Sequence, residues 1–230
     1  MAGNNSLLTE HTWERLRDWY RSNGRHEMPW RHRRSPWSIL IAETMLRRTN
    51  ATSAATVFPQ ILREFPCPAA VLERPEKWRE LSKPLGISRR AELFINACKM
   101  LVEEYESSVP SDMDSLLALP GVGHYAASAV RCFGFEIPEV IVDTNTIRIV
   151  SRLGGKRLHQ SNHRSREVRE EVVRIGGTQS GLPADDNFAL LDLASIICKP
   201  QHPLCTACPL TPDCATGRRT LESKAFGVNR

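Results

Sequence analysis

The chain has 230 residues, 41% of them hydrophobic, enough to bury a core in one large domain or two small ones. No stretch reaches the apolar length that crosses a bilayer, and the first residues lack the charged-then-apolar order of a secretion signal, so a soluble intracellular protein is expected. A formal charge of +5 names no partner by itself; its distribution along the chain says more.

Residues 10–20 carry Trp13, Leu16, Trp19 and Tyr20 at helical spacing, which predicts a first helix with one apolar side. Arg25, His26, Arg31, His32, Arg33 and Arg34 then cluster around Trp30, and Arg47-Arg48 follow. Basic residues interleaved with aromatics suit a phosphate backbone and stacked bases, and a solvated basic loop accounts for the cluster equally well. Ser35-Pro36 reads as a helix start, with Ser at the cap and Pro in the first turn, the helix running through Ile39-Leu40-Ile41 to about Arg48. Glu43 stands inside this apolar segment, which is unusual for a carboxylate. If buried, it holds its proton more tightly, as a general acid or proton shuttle requires. A Glu paired with an Arg at the core's rim is the plainer alternative.

Further helices are predicted near 53–64, 90–105, 113–118, 124–133, 144–153, 165–175 and 186–198. Pro66, Pro68, Pro84, Pro110, Pro138 and Pro183 fall in the connectors. Val140-Ile141-Val142 is the one convincing strand candidate, too short to found a sheet, and the polar tail from 217 to 230 is expected to be partly disordered.

Three motifs carry chemistry. In Leu119-Pro120-Gly121-Val122-Gly123, Pro120 stops one helix, and Gly121 and Gly123 allow torsions closed to other residues. Such a turn exposes successive N–H groups beside the positive end of the next helix, an anion site suited to a DNA phosphate; a plain helix–turn–helix connection is the alternative. Asp143 closes the apolar run Val140-Ile141-Val142 before a helical segment. It is a good N-cap, and a carboxylate so placed can also stabilise an oxocarbenium-like transition state. Of seven cysteines, Cys67, Cys98 and Cys132 are scattered in apolar surroundings and read as ordinary buried thiols. The other four form Cys198-x6-Cys205-x2-Cys208-x5-Cys214, a set that satisfies a tetrahedral zinc or a [4Fe–4S] cubane, with the spacing physics leaving the metal open.

With these motifs in place the chain resembles the helix-hairpin-helix DNA glycosylases of the endonuclease III branch, from about Trp30 to Cys214. The resemblance implies an all-α, two-lobed fold: residues 30–136 as a six-helix barrel with the hairpin, residues 1–29 and 137–230 as the lobe of the iron–sulfur loop. It implies a [4Fe–4S] cluster on Cys198, Cys205, Cys208 and Cys214 with a structural role. It also implies double-stranded DNA held across the cleft between the lobes, a flipped nucleotide, no membrane, a monomer and an intracellular place at the nucleoid. Endonuclease III carries a Lys two residues after the second hairpin glycine, whose amine forms a Schiff base with the sugar. Tyr125 stands there, and a phenol forms no imine, so a monofunctional glycosylase without strong lyase activity is implied.

Within the branch, Met28-Pro29-Trp30-Arg31-His32, Ile39-Leu40-Ile41-Ala42-Glu43 with Leu46-Arg47-Arg48-Thr49, and Gly123-His124-Tyr125 look like the Mig-type thymine-DNA mismatch glycosylases. These remove thymine or uracil opposite guanine. Mismatch adenine glycosylases are the alternative; they usually carry a Gln pair where Arg47-Arg48 stand, Asp-Gly-Asn where Asp143-Thr144-Asn145 stand, and an extra C-terminal domain for which this chain leaves no room. A non-catalytic DNA-binding module is the second alternative, against which Glu43 and Asp143 both stand. By resemblance, Asp143 stabilises the sugar cation and orients water, Glu43 sets the pocket's electrostatics or helps activate the base, and Tyr125 lines the pocket. Gly121, Val122 and Gly123, with His124, hold the phosphate, and Arg47 and Arg48 lie near the gap left by the flipped base or contact the opposing guanine.

Overall fold

The computed structural model describes residues 8–47, 49–86, 88–156, 158, 166–176 and 181–225. Arg48 lies outside them. The chain divides into two compact units: Met1–Arg25 with Pro138–Arg230, and His26–Ile137. Among the described residues the regular structure is helical: α1 (Glu10–Asn23), α2 (Pro36–Leu46), α3 (Ala51–Glu64), α4 (Pro68–Glu73), α5 (Pro75–Ser82), α6 (Ser88–Glu104), α7 (Met113–Ala118), α8 (His124–Ala129), α9 (Thr144–Gly154), α10 (Arg166–Gly176), α11 (Ala184–Ile196) and α12 (Ala215–Ala225). The strand candidate reduces to one isolated antiparallel bridge, Glu139 with Leu182.

In the His26–Ile137 unit, α2 is the central element. Ser35 and Ser38 form a reciprocal capping box at its start, and Ile39, Leu40, Ile41, Ala42 and Met45 are all buried, so the helix is apolar all round and packs between α3, α8 and the turn after α8. That turn, Val130–Gly134, is a π-helical winding, and at Gly134 a Cβ would stand 2.7 Å from Pro36 Cα, so only glycine lets it meet the start of α2. An aromatic core ties α2, α5 and α6: Trp78 stacks on Phe94 at 4.3 Å and Trp37 on Phe94 at 5.5 Å. Trp30 belongs to this buried interior, edge-on to Phe58 at 5.7 Å, and Arg31 is buried beside it. The aromatic amid the basic cluster is therefore core and not a platform for bases. Pro68 opens α4 and Pro75 opens α5, two short helices that sequence reasoning passed over as connector, because a proline at the first helical position reads locally like a break.

In the other unit, α1 lies against α11. Trp13, Leu16 and Tyr20 form its buried stripe, with Trp19 half-buried. Ion pairs from α1 and from Arg25 just beyond it reach α11. Arg17 grips Asp186 through Nε and Nη2, both at 2.8 Å, and Arg25 donates its backbone N–H and Nε to the fully buried Asp192, again at 2.8 Å. α9 packs against α10, α11 and α12. Of the tail expected to be partly disordered, residues up to Ala225 are helical, α12 resting on α9 and the cysteine loop, and the rest lies outside the described residues.

Candidate active site

In the His26–Ile137 unit the hairpin is a type II turn. Pro120 is its second residue, Gly121 takes φ +83° at the third, and the Val122 N–H closes it on the Leu119 carbonyl at 3.0 Å. The Val122 amide is thus spent inside the turn. Gly123 departs from expectation in a second way. Its φ of −116° suits any residue, and a Cβ there would meet nothing within 4 Å. Nothing among the described residues demands a glycine at 123, while at Gly121 both the torsion and Leu93, 3.1 Å from an added Cβ, do. Gly123 is the N-cap of α8 and no side chain caps that helix.

Arg47 is exposed and donates Nη1 to the Gly121 carbonyl at 2.6 Å; Arg90 in turn donates to the Arg47 carbonyl. The end of α2, the start of α6 and the hairpin are so tied together. Glu43 is 6% exposed, and with Thr44, Arg47, Arg90, Gly121 and Val122 it lines an open cleft of the same unit. The structure therefore brings together Glu43, Arg47 and the hairpin, which the sequence separates by some eighty positions. Tyr125 is half-buried and His124 exposed in the first turn of α8.

In the other unit Asp143 is the N-cap of α9 and half-buried. Its Oδ1 accepts from the backbone N–H of Asn145 at 2.9 Å and of Thr146 at 2.8 Å, and Oδ2 accepts from Asn145 Nδ2 at 2.7 Å. The Thr146 hydroxyl stands 3.1 Å from Oδ1 and 2.9 Å from the Ile141 carbonyl. Asn145 is fixed in its turn, since its Oδ1 accepts from Arg148 Nη2 at 3.0 Å. Arg148 is buried and reaches the carbonyls of Cys198 at 2.8 Å and Ala194 at 3.1 Å. Burial lowers its guanidinium from the ordinary arginine value, opposed by the nearby Cys198 and Asp143.

Arg152, one turn further along α9, donates to Cys198 Sγ at 3.2 Å and to the carbonyls of Lys199 at 2.7 Å and Pro200 at 2.9 Å. The four cysteines of the loop are half-buried. Burial, and then the charge of Cys198 and Cys214, push the Cys208 thiol up to about 11; Cys214 is raised by burial, with Cys198 and Cys205 adding to it. The Gly217 N–H lies 3.3 Å from Cys214 Sγ. Among the described residues no three His, Cys, Asp or Glu side chains form a ready site for a metal ion. The donor set is nevertheless one that a cation suits: thiols near enough to oppose each other's ionisation, with an Arg and a backbone N–H already directed at sulfur.

The pattern of an HhH-GPD superfamily base excision DNA repair protein matches residues 41–175. The thymine-DNA glycosylase of Aeropyrum pernix is 38% identical over 203 residues, 87% of this chain and 91% of that protein. The chain belongs to the HhH-GPD superfamily. The thymine/uracil-DNA glycosylase of Pyrobaculum aerophilum is 34% identical over 84% of this chain and 85% of its own length. A solved structure of a thermostable thymine-DNA glycosylase superposes with a TM-score of 0.80 at 28% identity, covering 91% of this chain and 98% of that one. The matched HhH-GPD segment contains Glu43, Arg47, the hairpin, Tyr125 and Asp143.

Asn145, Thr146, Arg148, Arg152 and Arg90 are the residues that sequence reasoning missed in this HhH-GPD chain. A signal existed for two of them: Arg148 and Arg152 stand four apart on the helix that Asp143 caps, so they share a face, which reaches the cysteine loop.

Proposed function

We propose that this chain is a monofunctional DNA glycosylase that removes thymine or uracil mispaired with guanine by hydrolysing the N-glycosidic bond, as the first step of base excision repair. The observation that carries the reading is Asp143: a carboxylate fixed at a helix start by two backbone amides and the Asn145 amide, at the position where the family resemblance puts the catalytic acid. Loss of the base leaves positive charge on the sugar, and a carboxylate held in advance stabilises that charge without reorganising. Water, oriented by the same group, completes the hydrolysis and leaves an abasic site. Tyr125 replaces the amine that a lyase needs, so the strand stays intact, and its ring fixes the flipped base.

The duplex backbone is held by the amides of Gly121 and Gly123 and the start of α8, with Val122 shaping the turn and His124 beside it. Absence of a side chain at Gly123, which nothing among the described residues requires, leaves room for a phosphate to approach. Glu43 sets the electrostatics of its cleft, Arg47 steadies the hairpin through Gly121, and Arg47 and Arg48 serve the gap left by the flipped base or the opposing guanine. Cys198, Cys205, Cys208 and Cys214 hold a [4Fe–4S] cluster, which when bound supplies four iron–thiolate bonds that fix the loop. A brown preparation absorbing near about 400 nm supports the cluster; a colourless, folded, zinc-bearing protein removes it.

The test of function is single-turnover excision on duplexes bearing G·T, G·U, G·A and oxidised guanine·A, each with and without alkali. Cleavage of the T or U strand only after alkali is the expected result. Release of adenine instead moves the chain to the adenine branch, and strand cleavage without alkali removes the monofunctional assignment.

A further inference from the structure

The segment that delivers Asp143 has little to hold it. Among the described residues, Pro138 to Val142 belong to no helix or strand and make one bridge, in which the N–H groups of Glu139 and Leu182 each donate to the other's carbonyl at 3.1 Å. A lone bridge leaves the following residues without a ladder. The amide of Asn187, on the second turn of α11 and 2% exposed, takes the place of the missing strand. Its Nδ2 donates to the Glu139 carbonyl at 2.9 Å and the Leu182 carbonyl at 3.1 Å, filling the second acceptor position of both bridge carbonyls. Its Oδ1 accepts the Ile141 N–H at 3.2 Å. A carboxamide carries the donor and acceptor of a peptide unit, so one side chain does here what a neighbouring strand does in a sheet.

The other backbone group of Ile141 is taken as well. Its carbonyl accepts from the Thr146 hydroxyl at 2.9 Å, and the hydroxyl oxygen also lies 3.1 Å from Asp143 Oδ1, so one O–H is shared between the two acceptors. Ile141 is thus pinned at both ends by side chains, from α11 on one side and α9 on the other. The close approach of the two chain segments is built in: Gly181 has φ +84°, and a Cβ there would stand 2.5 Å from the Pro138 carbonyl. We propose that Asn187 and Thr146 are positioning residues for Asp143, the first setting the backbone that leads to it through Ile141 and the second joining that backbone to the carboxylate. The proposal rests on the assignment of Asp143 as the catalytic carboxylate.

A misplacement of about 1 Å costs on the order of a hundredfold in rate. Asn187→Leu and Thr146→Val are each expected to lower single-turnover excision at saturating DNA by roughly tenfold to a hundredfold. Affinity for a duplex carrying the abasic product stays within about threefold, because neither side chain belongs to the phosphate-binding hairpin. Thr146→Ser, which keeps the hydroxyl, restores the rate. The double variant is no slower than the slower single one, since both break one path. Leu193→Ala, a cavity in the fully buried face of α11 away from this path, lowers the melting temperature with little loss of rate and is the control for mere destabilisation. If Asn187→Leu does not fold, the Thr146→Val and Thr146→Ser pair carries the test. Thr146→Val at the wild-type rate, or rate losses that multiply in the double variant, overturns the proposal alone. A wild-type chain that releases no base from any of the four duplexes overturns the assignment of Asp143 and the proposal with it.

Discussion

Replacing Asp143 by Asn separates its two tasks. As a helix cap Asn is about as good as Asp, and an Asn oxygen placed at Oδ1 keeps the amides of Asn145 and Thr146 satisfied. The new amino group falls where Oδ2 accepted from Asn145 Nδ2 at 2.7 Å, so two donors face one another. Asn145 cannot turn its amide round without presenting that amino group to Arg148, which now donates to its oxygen. One lost bond and one mismatched donor cost about 1–3 kcal/mol, a fall of several degrees in Tm and no loss of fold. The catalytic loss is larger. A unit charge about 4 Å from the developing sugar cation, at an effective dielectric constant near 20, contributes about 4 kcal/mol, or roughly a thousandfold in rate. Single-turnover excision from a G·T duplex, read after alkali, gives the rate, and thermal melting followed by circular dichroism gives the stability. Asp143→Asn within tenfold of the wild-type rate would refute the reasoning. So would a rate loss matched by unfolding at the assay temperature.

Gly121→Ala and Gly123→Ala are expected to part company. The first forces φ +83° on alanine against Leu93 and costs roughly 1–3 kcal/mol of stability, whereas the second leaves Tm unchanged and weakens binding of a product duplex; equal effects on both measurements would remove the phosphate from Gly123. Tyr125→Lys supplies an amine and is expected to produce strand cleavage without alkali and a borohydride-trapped covalent complex, with unchanged cleavage counting against the placement of residue 125. Arg148→Met removes the donors to Asn145 and to the Cys198 carbonyl and is expected to lower both the excision rate and the thermal stability of the purified protein, while a loss of stability with the rate intact would confine Arg148 to the loop.

The helices were legible where caps and periodicity agree. Ser35 before Pro36, and Asp143 before an apolar-periodic run, mark starts that the structure keeps, because capping is a local matter of orphan amides. The two short helices opened by Pro68 and Pro75 were not, since a six- or eight-residue helix draws its stability from packing on α6 and carries almost no period of its own. Trp30 misled for a related reason. Its basic neighbours suggested a surface, but burial is decided by what the tertiary fold lays over a residue, here Phe58. At the site, residue type was legible and partnership was not. Glycine at 121 announces its positive φ, yet nothing in the sequence shows that Arg47 would reach its carbonyl across 74 residues, or that Asn187 would serve Ile141 across 46.

The way Asp143 is held bears on the proposal that it is the catalytic carboxylate. Donors drawn from flexible side chains or water would have to reorient as charge develops on the sugar, and that reorientation is a large part of the barrier in solution. Two of the four donors on Asp143 are backbone amides of α9, fixed by the helix they begin and aligned with its positive end, and one is the Thr146 hydroxyl of the same turn. The remaining donor belongs to Asn145, itself held by a guanidinium whose other bonds go to the carbonyls of Cys198 and Ala194. A carboxylate has about four acceptor positions. Oδ1 faces the two amides and the Thr146 hydroxyl, whereas Oδ2 accepts from Asn145 alone among the described residues, so Oδ2 retains an acceptor position. In the proposed reaction that oxygen, anchored on one side and not saturated, is the one that takes a water proton or faces the cation.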